Sequence, residues 1–218
     1  MGKTYKNILF DLDGTLTDSA QGICKSVQHA LKQYGIEAAL EEIKPFIGPP
    51  LHQSFMEQYG FSEKKAFQAV GYYRDYYRET GIYENKLYQS VPGMLESLAA
   101  EGKELFIATS KPTVFAEKIV KHFNLHRFFT IIAGSNLDGT RVEKSEVIEY
   151  VLTNIANLNK AETVMVGDRK HDIRGARTRD LSSIAVTYGY GSLDELKSAG
   201  PDHIAHSVEE LEELLLSG

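Results

Sequence analysis

Apolar positions recur along this chain with two different periods, and the switches between them delimit the elements. Ile8, Leu9 and Phe10 form an unbroken apolar run, the pattern of a strand buried on both faces of a parallel sheet. Ile23, Val27, Ala30, Leu31 and Tyr34 then follow a 3.6-residue period, which predicts a helix capped by Ser19 and stopped by Gly35. Past the Gly48-Pro49-Pro50 loop, Leu51, Phe55 and Tyr59 predict a helix ending at Gly60. Ala66, Val70, Tyr73 and Tyr77 predict another, closed by Gly81. No strand is expected between about Thr17 and Glu84.

Strands and helices alternate after that. Pro92 opens a helix that Gly102 stops, and residues 104–108 read as a buried strand. Pro112 starts a helix with Phe115, Ile119 and Phe123 inward; 128–133 is a strand; Val147, Val151, Leu152 and Ile155 mark a helix; 163–166 is a strand. The last strand expected is 183–186, and capping boxes at Ser192/Glu195 and Ser207/Glu210 announce two closing helices. Such alternation predicts an α/β fold with a doubly wound, mostly parallel sheet and right-handed crossovers. The helical stretch that interrupts it predicts an all-helical cap over residues 17–85, inserted after the first strand of a core formed by 1–16 and 86–218.

Composition narrows the class. Of 218 residues, 42% are apolar and 25% charged, as in a globular protein with a sizeable core. The single cysteine, Cys24, rules out an internal disulfide framework and suits a reducing compartment. The first residues, M-G-K-T-Y-K, carry no apolar leader, and no apolar run approaches the roughly 20 residues a bilayer span needs. A formal charge of −6 argues against a nucleic-acid partner, whose phosphates call for basic surface. A cytoplasmic protein that meets neither membrane nor nucleic acid is expected. Nothing in the pattern bears on oligomeric state.

The chemistry begins where the first strand stops. Asp11 and Asp13 end it, pointing to one side with Leu12 opposite. Buried carboxylates are costly unless the position needs negative charge, and the carboxyl edge of an open α/β sheet is where ligands bind. The pair reads as a metal site, an acid/base couple, or a nucleophile with its acid. Other strands also end in polar residues at that edge: Thr109 and Ser110, then Asp168. Lys144, opening a helix, is placed to reach them. The histidines show no zinc-binding spacing.

The stretch D-L-D-G-T-L-T-D-S resembles the first signature of the haloacid dehalogenase-like hydrolases, which are mostly Mg²⁺-dependent phosphatases, and G-D-R-K-H-D (167–172) resembles their last. Thr109 and Ser110 resemble the second signature, a hydroxyl that binds phosphoryl oxygens. Lys144 resembles the third, although Ser145 stands where many relatives have proline, and Lys111 and Arg141 are nearby competitors. The resemblance implies a Rossmann-like core, Asp11 as nucleophile and Asp13 as general acid/base. It also implies Mg²⁺ held by Asp11, Asp168 and the carbonyl of Asp13, with Asp172 close behind. Thr109, Ser110 and Lys144 would hold the phosphoryl group of a small phosphorylated substrate. An acid at position 13 favours phosphate esters over dehalogenation. The pattern, including G-T-R-x-x-K and Y-G-Y-G-S, resembles that of phosphoglycolate phosphatases or 5′-nucleotidases, and a phosphoglycolate phosphatase-like activity is expected first. The alternatives are a 5′-nucleotidase, a sugar-phosphate mutase, or a non-catalytic module that only receives a phosphoryl group.

Overall fold

The computed structural model describes residues 3–217. The chain forms two compact units, one from residues 1–17 and 87–218 and the other from 18–86. Among the described residues the larger unit is built on a six-stranded sheet. Its strands are β1 (Asn7–Phe10), β4 (Glu104–Pro112), β5 (Phe129–Ser135), β6 (Thr163–Gly167), β7 (Ser182–Val186) and β8 (His203–Ala205), in the order β5-β4-β1-β6-β7-β8. Every pairing is parallel. Ile8 is flanked by Leu105 and Val164, so β1 lies between β4 and β6 with all four of its residues buried. That position explains its unbroken apolar run.

Helices α5 (Val91–Ala100), α6 (Thr113–His122), α7 (Lys144–Thr153), α8 (Lys170–Thr178), α9 (Leu193–Ala199) and α10 (Val208–Leu216) join the strands. One core layer gathers Leu9, Phe106 and Met165 from the sheet with Val147, Ile148, Val151 and Ala176 from α7 and α8. Helices α7 and α8 lay their apolar stripes against the sheet, which fixes where their N-termini fall at the carboxyl edge.

Two helices of this unit, α6 and α8, stop on a left-handed residue that is not glycine. After α8, Asp180 adopts the left-handed conformation (φ 59°); its N–H reaches the Arg177 carbonyl and the Leu181 N–H reaches that of Ala176. This is the Schellman arrangement, and Leu181 completes it by burying against the core layer that holds Ala176. Asn124 does the same after α6, with Leu125 donating to Val120.

The smaller unit contains α1 (Ala20–Lys32), α2 (Leu40–Ile43), α3 (Leu51–Tyr59) and α4 (Glu63–Glu79). Its core includes Val27, Leu31, Phe46, Phe55, Tyr73 and Tyr77. In the Y-Y-R-D-Y-Y run, Tyr73 and Tyr77 turn inward and stack on each other, while Tyr76 donates to Glu84. Cys24 is buried, and burial pushes its thiol up to about 11, so it is inert filler in α1. Where the chain passes between the units, β2 (Thr17–Asp18) and β3 (Lys86–Leu87) pair as a short ribbon. No described helix is long and apolar enough to cross a membrane.

Several local expectations are corrected. The last strand is β8, three residues at the sheet edge, too short and too polar at His203 to show a period. Strand β4 runs on through Thr109 and Ser110 to Pro112, past a register shift against β5. Ser19 makes no side-chain cap; Asp18 accepts the Ala20 N–H instead. Ser192 and Ser207 do cap their helices, but the boxes are not reciprocal: Glu210 accepts from His206, and Glu195 is drawn to Arg169 and Lys170.

A non-glycine residue in the left-handed region costs about 1–2 kcal/mol, less for Asp, and glycine gives back part of the gain as chain entropy. Asp180→Gly is therefore expected to stabilise the protein by about 0.5 kcal/mol, since the exposed Lys160 contact it loses, at 3.6 Å, contributes little. The urea midpoint measures it.

Candidate active site

The tight turn after β1 builds the first part of the site. Leu16 and Thr17 both donate to the Leu12 carbonyl, and Gly14 donates to Thr17 at 2.7 Å. This folds Asp11, Asp13 and Gly14 into one loop beyond the strand. Gly14 has a φ of 84°, and a Cβ there would lie 2.2 Å from Asp168 Oδ2, so both its conformation and its surroundings exclude a side chain.

Asp11, Asp168 and Asp172 converge: each presents a carboxylate oxygen within 4.8 Å of the others, and all three are buried. Asp168 directly follows β6 and Asp172 sits in the first turn of α8, so the crossover from β6 to α8 delivers both. Lys144 opens α7 with its side chain only 4% exposed. Its ammonium lies 3.0 Å from Asp11 Oδ1, 2.7 Å from Asp172 Oδ1 and 3.0 Å from the Ala108 carbonyl. Asp172 also accepts the Arg169 N–H at 3.0 Å, capping its own helix. Of the competing cations, Lys144 enters the cluster. Arg141 instead binds Gly134, Thr113 and Asn136 and holds the loop before α7.

Lys111 is the residue that sequence reasoning underrated. It lies 2.8 Å from Asp13 Oδ2 with its side chain 6% exposed, so the two aspartates of the first loop face two different lysines. A signal for it existed: Lys111 follows Thr109 by two positions on β4. Thr109 is buried, and its hydroxyl accepts the Lys111 N–H at 3.3 Å. Ser110 is half-buried and its carbonyl accepts from Ser135. Thr109 and Ser110 thus follow Ala108, whose carbonyl meets Lys144, at the same strand end. His52, in the other unit, stacks on Phe67.

Charge defines what the cluster wants. Three buried carboxylates share one ammonium, leaving two negative charges unbalanced. At the 4.8 Å limit of their spread, each like-charged pair repels by about 3–4 kcal/mol at an effective dielectric near 20. Burial first, then the charges of Asp11 and Asp172, push the Asp168 carboxyl well above the usual carboxylate range. Burial raises Asp172 as well, against the opposing pull of Lys144. For Lys144, burial favours the neutral amine, but the two aspartates outweigh it and hold the ammonium firmly protonated. Asp168 Oδ1 and Asp13 Oδ1 are buried without a hydrogen-bond partner. All-oxygen donors, excess negative charge and an orphaned carboxylate oxygen fit a hard divalent cation such as Mg²⁺.

A parallel sheet whose carboxyl edge gathers acids around a buried lysine defines an α/β protein suited to bind a cation and an anionic group at that edge. A family model of haloacid dehalogenase-like hydrolases matches residues 8–186, and the chain belongs to that family. It is 48% identical, over 98% of its own length and 96% of the relative's, to a 5′-nucleotidase of Pseudomonas aeruginosa. It is 36% identical to the tyrosine-protein kinase PtkA of Mycobacterium bovis, covering 98% of this chain and 74% of that protein. A crystal structure described as a predicted phosphatase from Clostridium acetobutylicum superposes with a TM-score of 0.94 at 47% identity, over 99% of this chain and 100% of that one. The protein is a phosphoric monoester hydrolase.

Two outcomes follow from the charge balance. Asp168 and Asp172 bind protons more tightly folded than unfolded, so without metal their contribution to stability falls as pH rises above the ordinary carboxylate value of about 4. Mg²⁺ is therefore expected to raise the melting temperature more at pH 8 than at pH 5; an equal or reversed increment in calorimetry would refute the cluster as the cation site. Lys144→Met strands two buried carboxylates, and a loss of about 3–5 kcal/mol at neutral pH is expected in chemical denaturation.

Proposed function

We propose that the protein hydrolyses small phosphate monoesters through an aspartyl-phosphate on Asp11, with Mg²⁺ as cofactor. The observation that carries this reading is the convergence of Asp11, Asp168 and Asp172 within 4.8 Å of one another, with Lys144 bridging Asp11 and Asp172 and Asp13 paired to a separate lysine. Asp11, Asp168 and the Asp13 carbonyl would hold the cation, which when bound screens the phosphoryl oxygens from the nucleophile and draws charge from the phosphorus.

The chain's own groups do the rest. A carboxylate oxygen of Asp11 attacks phosphorus in line, forming the Asp–O–P bond as the bond to the leaving alkoxide breaks. Asp13 gives its proton to that alkoxide, then takes one from the water that attacks the aspartyl-phosphate and restores Asp11. Lys144 and the hydroxyls of Thr109 and Ser110 stabilise the charge on the phosphoryl oxygens. Asp172 fixes the Lys144 ammonium, and Lys111 holds the Asp13 carboxylate in place between the two proton transfers.

Among substrates, nucleoside 5′-monophosphates come first. The 5′-nucleotidase relative shares 48% of its residues across nearly the whole chain, whereas a phosphoglycolate phosphatase of Vibrio parahaemolyticus shares 28%. Phosphoglycolate is the second reading, supported by the phosphoglycolate phosphatase relative and by a sequence pattern that the two groups share. Phosphate release from nucleoside monophosphates, phosphoglycolate and sugar phosphates, compared by kcat/KM, separates them. At least tenfold preference for a nucleotide is expected, and preference for phosphoglycolate would reverse the order.

Asp11→Asn keeps the shape of the site and removes the nucleophile. A fall in kcat of about 10⁴ or more is expected, with an unchanged circular dichroism spectrum, because the covalent step has no alternative acceptor. Turnover within tenfold of the wild type would remove Asp11 from that role.

A further inference from the structure

We propose that the segment 188–195, Y-G-Y-G-S-L-D-E, is a clamp that aims Asp168, with Gly189, the Tyr190 N–H and Glu195 as its positioning groups. The inference rests on the reading of Asp168 as a cation ligand. Three successive residues, Gly189, Tyr190 and Gly191, approach Asp168 closely, and side chains at both ends tie the segment down. The Tyr190 N–H donates to Asp168 Oδ2 at 2.7 Å, satisfying one carboxylate oxygen and leaving Oδ1 as the buried, unpartnered one. A backbone donor has no rotamers, so it fixes the carboxylate plane more firmly than a side chain would.

The glycines on either side make that donor's approach possible. A Cβ at Gly189 would lie 2.3 Å from the Gly14 carbonyl oxygen and 2.4 Å from the Asp168 Cβ. At Gly191 it would lie 2.0 Å from the Asp168 carbonyl oxygen. The segment therefore packs backbone against backbone on both the first-strand loop and the end of β6. Either methyl group would have to push the loop, and with it the Tyr190 N–H, away from the carboxylate.

Both ends of the segment are tied down. The Tyr188 hydroxyl, in a ring packed edge-on against Tyr88, donates to the Thr15 carbonyl at 3.1 Å. This anchors the segment to the loop that carries Asp11 and Asp13. At the other end, Glu195 accepts from Arg169 Nε at 3.0 Å and from the Lys170 N–H at 3.0 Å, gripping the residues between Asp168 and Asp172. That is why Glu195 does not close the capping box its position in α9 suggests. The clamp touches neither Lys144 nor the phosphoryl-facing hydroxyls in any of these bonds, so its work is to orient the ligand acid.

Removing an outer support of a metal ligand typically costs 10–100-fold in affinity. Mg²⁺ binding to the full chain is measured by titration calorimetry and by the Mg²⁺-induced rise in melting temperature, for wild type, Gly189→Ala, Glu195→Gln and Gly93→Ala. Gly93 is the control, because a Cβ there meets nothing within 4 Å. Expected is a dissociation constant at least tenfold weaker in Gly189→Ala, severalfold weaker in Glu195→Gln, and unchanged in Gly93→Ala. Wild-type affinity in both clamp variants overturns the clamp while leaving the cation reading intact. No binding to the wild type overturns the cation reading and the clamp with it. Should Gly189→Ala not fold, the Tyr190 amide resonance of the wild type decides: it is expected to shift with Mg²⁺ along the calorimetric isotherm, and an amide that stays in place at saturation overturns the proposal.

Discussion

Mutual repulsion among three buried acids, only partly relieved by Lys144, is the constraint on which the rest of this molecule depends. A chain gains nothing in stability by driving Asp11, Asp168 and Asp172 to within 4.8 Å of one another in a dry place. The fold around them supplies what holds such a cluster together. Strand β1 is fully buried between β4 and β6, so Asp11 cannot retreat from the edge without unpairing a central strand. Asp172 is fixed by the Arg169 N–H and by Lys144, and Asp168 by the Tyr190 N–H. The cluster stores unfavourable negative charge of the kind that a bound divalent cation would relieve, and holding it in place before binding is preorganisation of the kind electrostatic catalysis requires.

The parallel topology brings these residues together economically. Every strand of the sheet runs the same way, so the strand ends carrying Asp11, Thr109 and Asp168 share one edge although they are far apart in sequence. Helices α7 and α8 start at that edge before packing on the common core layer, and their first turns supply Lys144 and Asp172. Position in the sheet, more than any local propensity, makes these side chains neighbours.

That division decides what was legible in the amino-acid sequence. The strands with continuous apolar runs, 8–10, 104–108 and 163–166, could be read because burial on both faces imposes a composition. The acids at their ends stood out because nothing about a strand terminus calls for them. β8 was hidden: at three residues on an edge it owes its existence to the neighbouring β7, with which it pairs from Ile184 to Val186. Capping was half legible, since Ser192 caps as its type predicts while the fate of Glu195 was set by Arg169, 26 residues away. Lys111 was seen but misjudged, because proximity to Asp13 arises across the sheet, at the register shift where β4 leaves its pairing with β5. The stretch Y-G-Y-G-S is legible in the sequence only as part of a family-like pattern, and the closeness of the Gly14 and Asp168 backbones reveals what excludes a side chain at Gly189 and Gly191.

The two lysines mark a division of labour within one loop. Lys144 is shared between Asp11 and Asp172 and spends its third donor on the Ala108 carbonyl, so it has no freedom to follow a proton. Lys111 meets Asp13 from a strand that has already lost its regular pairing, a place where backbone adjustment is least costly. The group proposed to bond to phosphorus is thus held by a cation that cannot move. The group proposed to exchange protons is held by one on an irregular stretch of β4. A nucleophile has to return to the same place every turnover, whereas an acid that alternates between protonated and ionised forms changes what its partner must provide. Rigidity at Asp11 and tolerance at Asp13 are two different requirements of the same reaction, and the sheet meets them by drawing one lysine from a helix start and the other from an irregular strand end.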